Sequence, residues 1–144
     1  MAESSRPPFS PTIALLTVAR AAEVEVAGAL EPHGLTLRKY GILGHIAHTP
    51  GLSLSELARR SGITVQSVHT LINALVDAGF VKSVVPSSGH AAQLSVTAAG
   101  ASLLDRLGQV IGELDARLFA SDPMREVAEA LRLATAERLG PPQD

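Results

Sequence analysis

Residues 52–97 read LSLSELARRSGITVQSVHTLINALVDAGFVKSVVPSSGHAAQLSVT, and this stretch decides the fold. Near its start Ser53 stands three residues before Glu56, the spacing of a capping box in which each side chain bonds the other residue's free backbone N–H. The box predicts a helix over about 54–60. Gly62 is suited to end it, because glycine adopts the left-handed conformation without strain.

A second helix and a hairpin are predicted directly after the first. Thr64 can cap a helix over about 65–78, which Gly79 ends. The β-rich runs 81–85 and 93–96 flank a loop that contains Pro-Ser-Ser-Gly, as expected for a hairpin. Helix, tight turn, helix and hairpin in this order predict a winged helix-turn-helix, in which the second helix enters a DNA groove.

The rest of the chain is predicted to be helical, which makes the fold class mainly α with a small β-hairpin wing. Each further helix follows a residue that can cap its first turn, with proline at the first position in two of them. The expected helices cover about residues 11–30, 37–48, 97–120 and 122–139.

The terminal helices carry apolar stripes that the compact middle module can cover only in part. In the first helix the stripe consists of Ile13, Leu16, Val24, Ala27 and Leu30. Such stripes usually bury against a second copy of the chain. We therefore expect a homodimer, with residues 11–35 and 98–144 as dimerisation helices, 36–97 as the winged module and 1–10 as a flexible N-terminus, in one domain overall.

Composition and charge limit the class of protein. The 144 residues are 46% hydrophobic and 18% charged, contain no cysteine and have no apolar run long enough to span a membrane. Disulfides and cysteine-bound zinc are excluded, and a soluble cytoplasmic protein is expected. Cations outnumber acidic residues in 36–97, whereas both flanks are acidic. This distribution favours contact of the middle module with nucleic acid.

No motif for catalysis is present: the sequence lacks a nucleophile elbow, a phosphate-binding loop, a dinucleotide fingerprint and a metalloprotease helix. His45 and His48 are three residues apart on a predicted helix, and this spacing could ligate a metal from one face. Neither a cysteine nor an obvious carboxylate lies nearby to complete the site. We therefore expect no catalytic residue, no metal and no cofactor.

The same histidines are candidates for a small-molecule pocket. Gly41 and Gly44 leave space beside them, and imidazole and guanidinium groups can hold an anionic or phenolic ligand. The alternative is that both histidines are ordinary surface residues. The candidate ligand-binding residues are Arg20, Tyr40, His45 and His48.

The order of four sequence pieces resembles the MarR (multiple antibiotic resistance regulator) family. These are LTLRKYGIL, TPGLSLSELARRSGI, a helix that ends LINALVDAGFV, and QLSVTAAG after the hairpin. The resemblance covers about residues 11–140. It implies a triangular homodimer with each recognition helix in a major groove and each wing at a minor groove. It also implies a pocket for a small phenolic or carboxylate ligand.

Carried over from the family, the DNA contacts fall on the recognition helix and on the wing. Gln and Asn can pair bidentately with adenine, while Ser, Thr and His can contact bases or phosphates. On the helix the expected residues are Gln66, Ser67, His69, Thr70 and Asn73. On the wing they are Ser88 and His90.

Two functions follow from this reading. The first is a ligand-responsive transcriptional regulator, a repressor, that binds a palindromic operator in double-stranded DNA. The second is a winged-helix protein with a degenerate DNA face that binds a small molecule, or catalyses a cyclisation or proton transfer, through the pocket between its helices. Thr70 and Ala74 stand where the family usually has arginine, which motivates the second.

Overall fold

The computed structural model describes residues 8–84 and 93–139 and divides into two compact units, Met1–Leu104 and Asp105–Asp144. Its described residues form six α-helices, one 3-10 turn (Glu31–His33) and one antiparallel sheet of two strands. The elements are α1 (Pro11–Leu30), α2 (Leu37–His48), α3 (Leu54–Ser61), α4 (Val65–Asp77), β1 (Val81–Val84), β2 (Gln93–Val96), α5 (Ala98–Leu118) and α6 (Asp122–Leu139). The predicted mainly α fold with a hairpin wing is confirmed.

The helix starts lie where the capping residues predicted them. The hydroxyl of Thr36 accepts a hydrogen bond from the Lys39 backbone N–H at 3.2 Å and opens α2. The hydroxyl of Thr64 does the same for the Ser67 backbone N–H at 3.1 Å and opens α4. Each of these bonds satisfies a donor that the helix itself leaves without a partner, so both helix starts are set locally.

The capping box of α3 forms only in part. The Ser53 hydroxyl accepts from the Glu56 backbone N–H at 3.2 Å, as predicted. The Glu56 carboxylate instead accepts from Arg59 Nη2 at 2.6 Å and from Arg60 Nε at 3.3 Å. The prediction of a reciprocal bond to Ser53 was wrong, because two guanidinium groups one turn ahead offer charge-assisted bonds that are stronger than one to a neutral amide.

The core of the first unit is aliphatic and centres on α2, which contacts α1, α3, α4 and β2. On this helix Ile42, Leu43 and Ile46 are buried, whereas Tyr40 is only half-buried and Ala47 is exposed. The buried core residues of the unit are Leu30, Leu35, Ile42, Leu43, Ile46, Leu52, Leu57, Ala58, Val68, Ile72, Leu75, Val81, Leu94 and Leu103. Packing of this kind fixes α3 and α4 on α2 and leaves their outer faces to solvent.

Most of α1 is not covered in the single chain. Leu30 is its one fully buried residue, whereas Ile13, Leu16 and Val24 are 63%, 61% and 63% exposed. Three large aliphatic side chains on one helical face would normally be covered. The stripe predicted from the sequence is therefore present, and only its last residue joins the core of the first unit.

Thr97 fastens the base of the hairpin to α5. Its backbone N–H donates to the Phe80 carbonyl at 3.0 Å, and its hydroxyl donates to the Gly79 carbonyl at 2.6 Å. The same hydroxyl accepts from the Gly100 N–H at 3.1 Å and so caps α5. Next to it, a Cβ added to Gly100 would overlap the Phe80 carbonyl oxygen and lie 2.7 Å from Val96 Cγ1. Only glycine fits at position 100, where α5 passes close to the hairpin, without displacing the hairpin.

The second unit consists of the later part of α5 and of α6. Leu107 and Leu114 are buried along α5, and α6 exposes Val127, Leu131 and Leu133. Ion pairs on its surface, such as Arg132–Glu129 at 2.6 Å, are exposed and contribute little to stability. Among the described residues, no helix combines the length and apolarity needed to cross a membrane.

Gly100→Ala tests the close approach at the base of the hairpin. We expect a loss of about 1–3 kcal/mol of unfolding free energy, because the methyl group would force the Phe80 backbone aside. The measurement is urea denaturation followed by circular dichroism. Gly108→Ala is the control, since a Cβ there meets nothing within 4 Å and alanine favours the helix. Equal stability of the two variants would contradict the packing described.

Glu56→Gln tests the ionic part of the α3 cap. Hydrogen bonds from Arg59 and then Arg60 hold the pKa of the Glu56 carboxyl below its ordinary value of 4.5. A lowered pKa means that the charged group stabilises the fold above pH 4.5 and that this contribution is lost as the pH falls through the lowered pKa.

We therefore expect the Tm difference between the parent and Glu56→Gln to be present at neutral pH and to vanish on acidification. Thermal melts across this pH range measure it. Ser53→Ala is the control: it removes a neutral bond and costs about 1 kcal/mol at every pH. A difference for Glu56→Gln that did not change with pH would show that the arginines do not stabilise the ionised carboxylate.

Candidate functional site

The exposed face of α4 carries the polar residues expected to contact DNA. Gln66, His69, Thr70 and Asn73 are exposed on one side of the helix, while Ser67 is half-buried. On the other side the apolar residues Val68, Ile72 and Leu75 are buried. A three-point apolar anchor thus holds the helix against the core and presents its polar face outward.

Hydrogen bonds within α4 determine which groups remain available to a ligand. Asn73 Nδ2 and His69 Nδ1 are 3.3 Å apart, so when the amide donates, the imidazole carries its proton on Nε2. The Thr70 hydroxyl donates to the Gln66 carbonyl at 3.1 Å. The outward groups are then an N–H donor on His69, an acceptor oxygen on Thr70 and both amide groups of Asn73.

Ser67 belongs to the helix cap. Its hydroxyl lies 2.8 Å from the Thr64 hydroxyl, and its backbone N–H donates to the same oxygen. The N-terminus of α4 therefore carries two neighbouring hydroxyl groups, those of Thr64 and Ser67, next to the exposed polar face. A phosphate oxygen is a suitable partner for such hydroxyls at a helix start.

The positive charge near α4 comes from other elements. α4 itself contains no lysine or arginine. The Lys82 side chain on β1 is exposed and forms no hydrogen bond or ion pair with any described residue, whereas the Arg59 side chain on α3 pairs with Glu56. Lys82 was not among the residues predicted to contact DNA, although a cation in the first predicted strand of the wing is a signal by which it could have been found. The wing residues Ser88 and His90 lie outside the described residues.

The first unit also contains a cavity of about 480 Å³ between α2 and the turn that precedes α4. Its lining includes Arg38 and His45 of α2 and the segment 60–63. Of the four residues predicted to bind a ligand, His45 lines this cavity, whereas Arg20, Tyr40 and His48 do not. That these four residues together form a ligand site therefore stays a prediction. Arg38 and Ser61 were not among the predicted ligand-binding residues. Arg38 lies two turns before His45 on the same wall, a spacing that could have identified it, whereas Ser61 lies on the wall that is distant in sequence.

The remaining titratable residues suggest no second chemistry. Within residues 8–84 and 93–139, no group of three or more histidine, aspartate or glutamate side chains is arranged to hold a metal ion. His45 and His48, three apart on α2, are half-buried and exposed respectively. The α4 face and the cavity are thus the two candidate sites in the described part of the chain.

Comparison with known proteins places this arrangement in a family. The sequence model of the MarR family matches residues 33–93, which include α2, α3, α4 and β1. The chain is 38% identical over 117 residues to the HTH-type transcriptional repressor Rv2887 of Mycobacterium tuberculosis, and the match covers 81% of this chain and 83% of that protein.

Solved structures of the same mycobacterial protein are similar over nearly the whole chain. Its complex with DNA has a TM-score of 0.73 at 34% identity and covers 93% of this chain and 100% of that chain. Its complex with salicylic acid has a TM-score of 0.72 at 33% identity and covers 93% and 98%. With this fold, this order of helices and hairpin, and this identity to a family repressor, the chain belongs to the MarR family.

Proposed function

We propose that this protein is a ligand-responsive transcriptional repressor that binds a palindromic operator in double-stranded DNA as a homodimer. The observation that carries the proposal is α4, whose buried side fixes the helix while its polar side faces solvent. A small phenolic or carboxylate ligand releases the DNA. The protein acts in the cytoplasm.

Direct readout on α4 rests on a small number of hydrogen-bonding groups. Gln66 and Asn73 are exposed carboxamides seven residues apart on the same side of the helix, and a carboxamide pairs bidentately with adenine. The Nε2–H of His69 can donate to guanine or to a phosphate. An α-helix inserted in the major groove brings these three side chains to base edges.

The positive charge available for phosphate contacts is small. With no cation on α4, the candidates in the described residues are Lys82 on β1 and Arg59 on α3. Each neutralised phosphate adds about one unit to the slope of log affinity against log salt. The proposed complex therefore has a shallow salt dependence and depends on base contacts for much of its specificity.

A second copy of the chain fits the exposed stripe of α1. Ile13, Leu16 and Val24 face solvent in the single chain, and α6 exposes further aliphatic residues. Two copies related by a two-fold axis would cover these faces and present two α4 helices to an inverted repeat. A dimer of this kind accounts for the aliphatic residues of the terminal helices that are exposed in one copy of the chain.

The class of effector is supported by the relative that binds salicylic acid. An aromatic acid combines a carboxylate with a flat apolar body, and arginine and histidine side chains are suited to hold such a group. Release follows when the ligand binds the free protein more tightly than the DNA-bound protein, because the two affinities are linked.

Gln66→Ala and Asn73→Ala test readout by α4. The operator is first selected from a random duplex library with the parent protein, and affinity is then measured by fluorescence anisotropy at several salt concentrations. Each variant is expected to lose about 1–3 kcal/mol on the selected operator, with little change on unrelated DNA. No enrichment of any sequence by the parent protein would contradict the proposed function.

Lys82→Gln serves as the matched variant for phosphate contact. It is expected to weaken binding to the operator and to unrelated DNA by a similar factor and to lower the salt slope by about one. If Gln66→Ala and Lys82→Gln had the same effect on both kinds of DNA, α4 would not be reading bases.

Leu16→Glu tests the proposed dimer. We expect it to sediment as a monomer and to lose operator binding, because each copy would give up about 1.5–3 kcal/mol of apolar burial and would bury a charge instead. Ala21→Glu is the control, as it adds the same charge on another exposed face of α1. Analytical ultracentrifugation decides: a Leu16→Glu protein that remains dimeric would exclude this stripe from the interface.

A further inference from the structure

The cavity in the first unit has two walls that come from separate parts of the chain. One wall is a face of α2 that runs from Leu37 to His45. The other is the end of α3 with the turn before α4, residues 60–63. Its volume of about 480 Å³ lies within the range of roughly 300–1,000 Å³ typical of small-molecule sites.

The charge along the cavity is positive. Arg38 and Arg60 line it, and no acidic residue does. Arg60 is already engaged, because its Nε bonds Glu56 at 3.3 Å and its Nη1 donates to the Thr49 hydroxyl at 3.1 Å. The Arg38 side chain forms no hydrogen bond or ion pair with any described residue, and it is exposed. The cavity therefore holds one guanidinium whose charge no described residue neutralises, which favours an anion.

A buried hydroxyl in the same lining also lacks a partner. Ser61 Oγ is shielded from solvent and is the one buried side-chain polar atom in the described part of the chain that makes no hydrogen bond. A buried hydroxyl without a partner costs free energy. Ser61 lines the cavity, and a bound molecule with a hydrogen-bonding group reaches this hydroxyl when the side chain rotates toward the cavity.

The rest of the lining is apolar and open. Leu37, Ile42 and Ile63 contribute aliphatic surface, which suits the body of an organic molecule better than a hydrated inorganic ion. Gly41 lies between Arg38 and His45 on α2, and a Cβ added there would meet nothing within 4 Å. The absence of a side chain at this position leaves room for a ligand against the helix.

We propose that this cavity binds a small organic carboxylate, with its carboxylate on Arg38 and its apolar body against Leu37, Ile42 and Ile63. Arg38 and His45 are seven residues apart, about 10 Å along the helix. They therefore mark opposite ends of the site, and His45 receives a second polar group such as a hydroxyl. This site shares only His45 with the set predicted from the sequence, Arg20, Tyr40, His45 and His48.

The position of the cavity connects the ligand to α4. Gly62 and Ile63 form part of the wall and directly precede Thr64, which caps α4. A ligand wedged between α2 and this turn contacts the segment that sets where α4 begins. The inference here rests on the proposed function: the carboxylate is the effector, and its binding weakens the fit of α4 to the operator.

Isothermal titration of the full chain with sodium 4-hydroxybenzoate tests the site. This probe carries a carboxylate and a hydroxyl at opposite ends of an apolar ring. Arg38→Gln is expected to weaken binding about tenfold or more, because it removes a charge-assisted hydrogen bond. Lys39→Gln is the matched control, since it removes the same charge from the next residue of α2, which does not line the cavity.

A second pair of variants tests the open space. Gly41→Leu fills the cavity and is expected to abolish binding, whereas Gly44→Leu puts the same side chain on the same helix outside the lining and should leave binding intact. Circular dichroism establishes that both variants fold. Arg20→Gln should also leave the affinity unchanged, which separates this cavity from the set predicted from sequence.

Several results would overturn the inference. They are absence of binding of 4-hydroxybenzoate, benzoate and salicylate to the parent at millimolar concentration, equal affinity of Arg38→Gln and Lys39→Gln, and loss of binding in Arg20→Gln. Inorganic phosphate that bound as tightly as the probe and displaced it would exclude an organic ligand class, because the apolar wall would then contribute nothing.

Operator binding without ligand, measured on the same proteins, separates this inference from the proposed function. If the parent binds operator but the probe affinity does not respond to Arg38→Gln or Gly41→Leu, the cavity assignment fails and the repressor stands. If the probe binds as described but no operator is selected, the repressor fails and the cavity stands. If both hold, the probe should weaken operator binding by the parent and not by Arg38→Gln.

Discussion

The burial of one side of α4 is the constraint on which the rest of the structure depends. Val68, Ile72 and Leu75 are buried where α4 packs on α2 and α3. Each contributes about 1.5–3 kcal/mol, which is large compared with any single polar contact on the surface. Because these three residues fix the rotation of the helix, the polar residues between them are held in one orientation, and their hydrogen bonds within the helix leave other donors and acceptors facing solvent.

The same anchoring explains how a helix without cations can serve as a probe of DNA. A recognition helix that binds mainly through phosphate contacts tolerates many sequences. Here the exposed side of α4 carries amide, imidazole and hydroxyl groups, and the nearby cations lie on α3 and β1. In the proposed complex with DNA, modest electrostatic affinity would make binding sensitive to small changes in helix position, since base contacts require close geometry. A wall of the proposed ligand cavity ends at Ile63, directly before Thr64, which caps this helix, so a bound ligand would act on the segment that sets its position.

Local physical chemistry explains why much of the fold could be read from the sequence. Helix starts at Thr36, Ser53 and Thr64 depend on a hydroxyl and a backbone N–H only three residues away. The two strands of the hairpin lie within the predicted β-rich runs 81–85 and 93–96, and the structure pairs them with Val81 opposite Val96. Where several local partners compete, the sequence was a weaker guide: the carboxylate of Glu56 binds the arginines one turn ahead rather than the N–H of Ser53.

The sequence by itself thus determined the order and limits of the helices, the polar face of α4 and the apolar stripe of α1, because each depends on spacing along one helix. Only the tertiary structure decided which residues share the cavity. Arg38 and Ser61 are distant in the chain and line the same cavity because α2 and α3 pack together. Arg38 shares a helix face with His45, but nothing local connects Ser61 to that face. His45 was chosen for its helical neighbours, yet its place in the cavity comes from the turn across from it. Contacts between distant segments are set by the packing of the whole core, which no local pattern encodes.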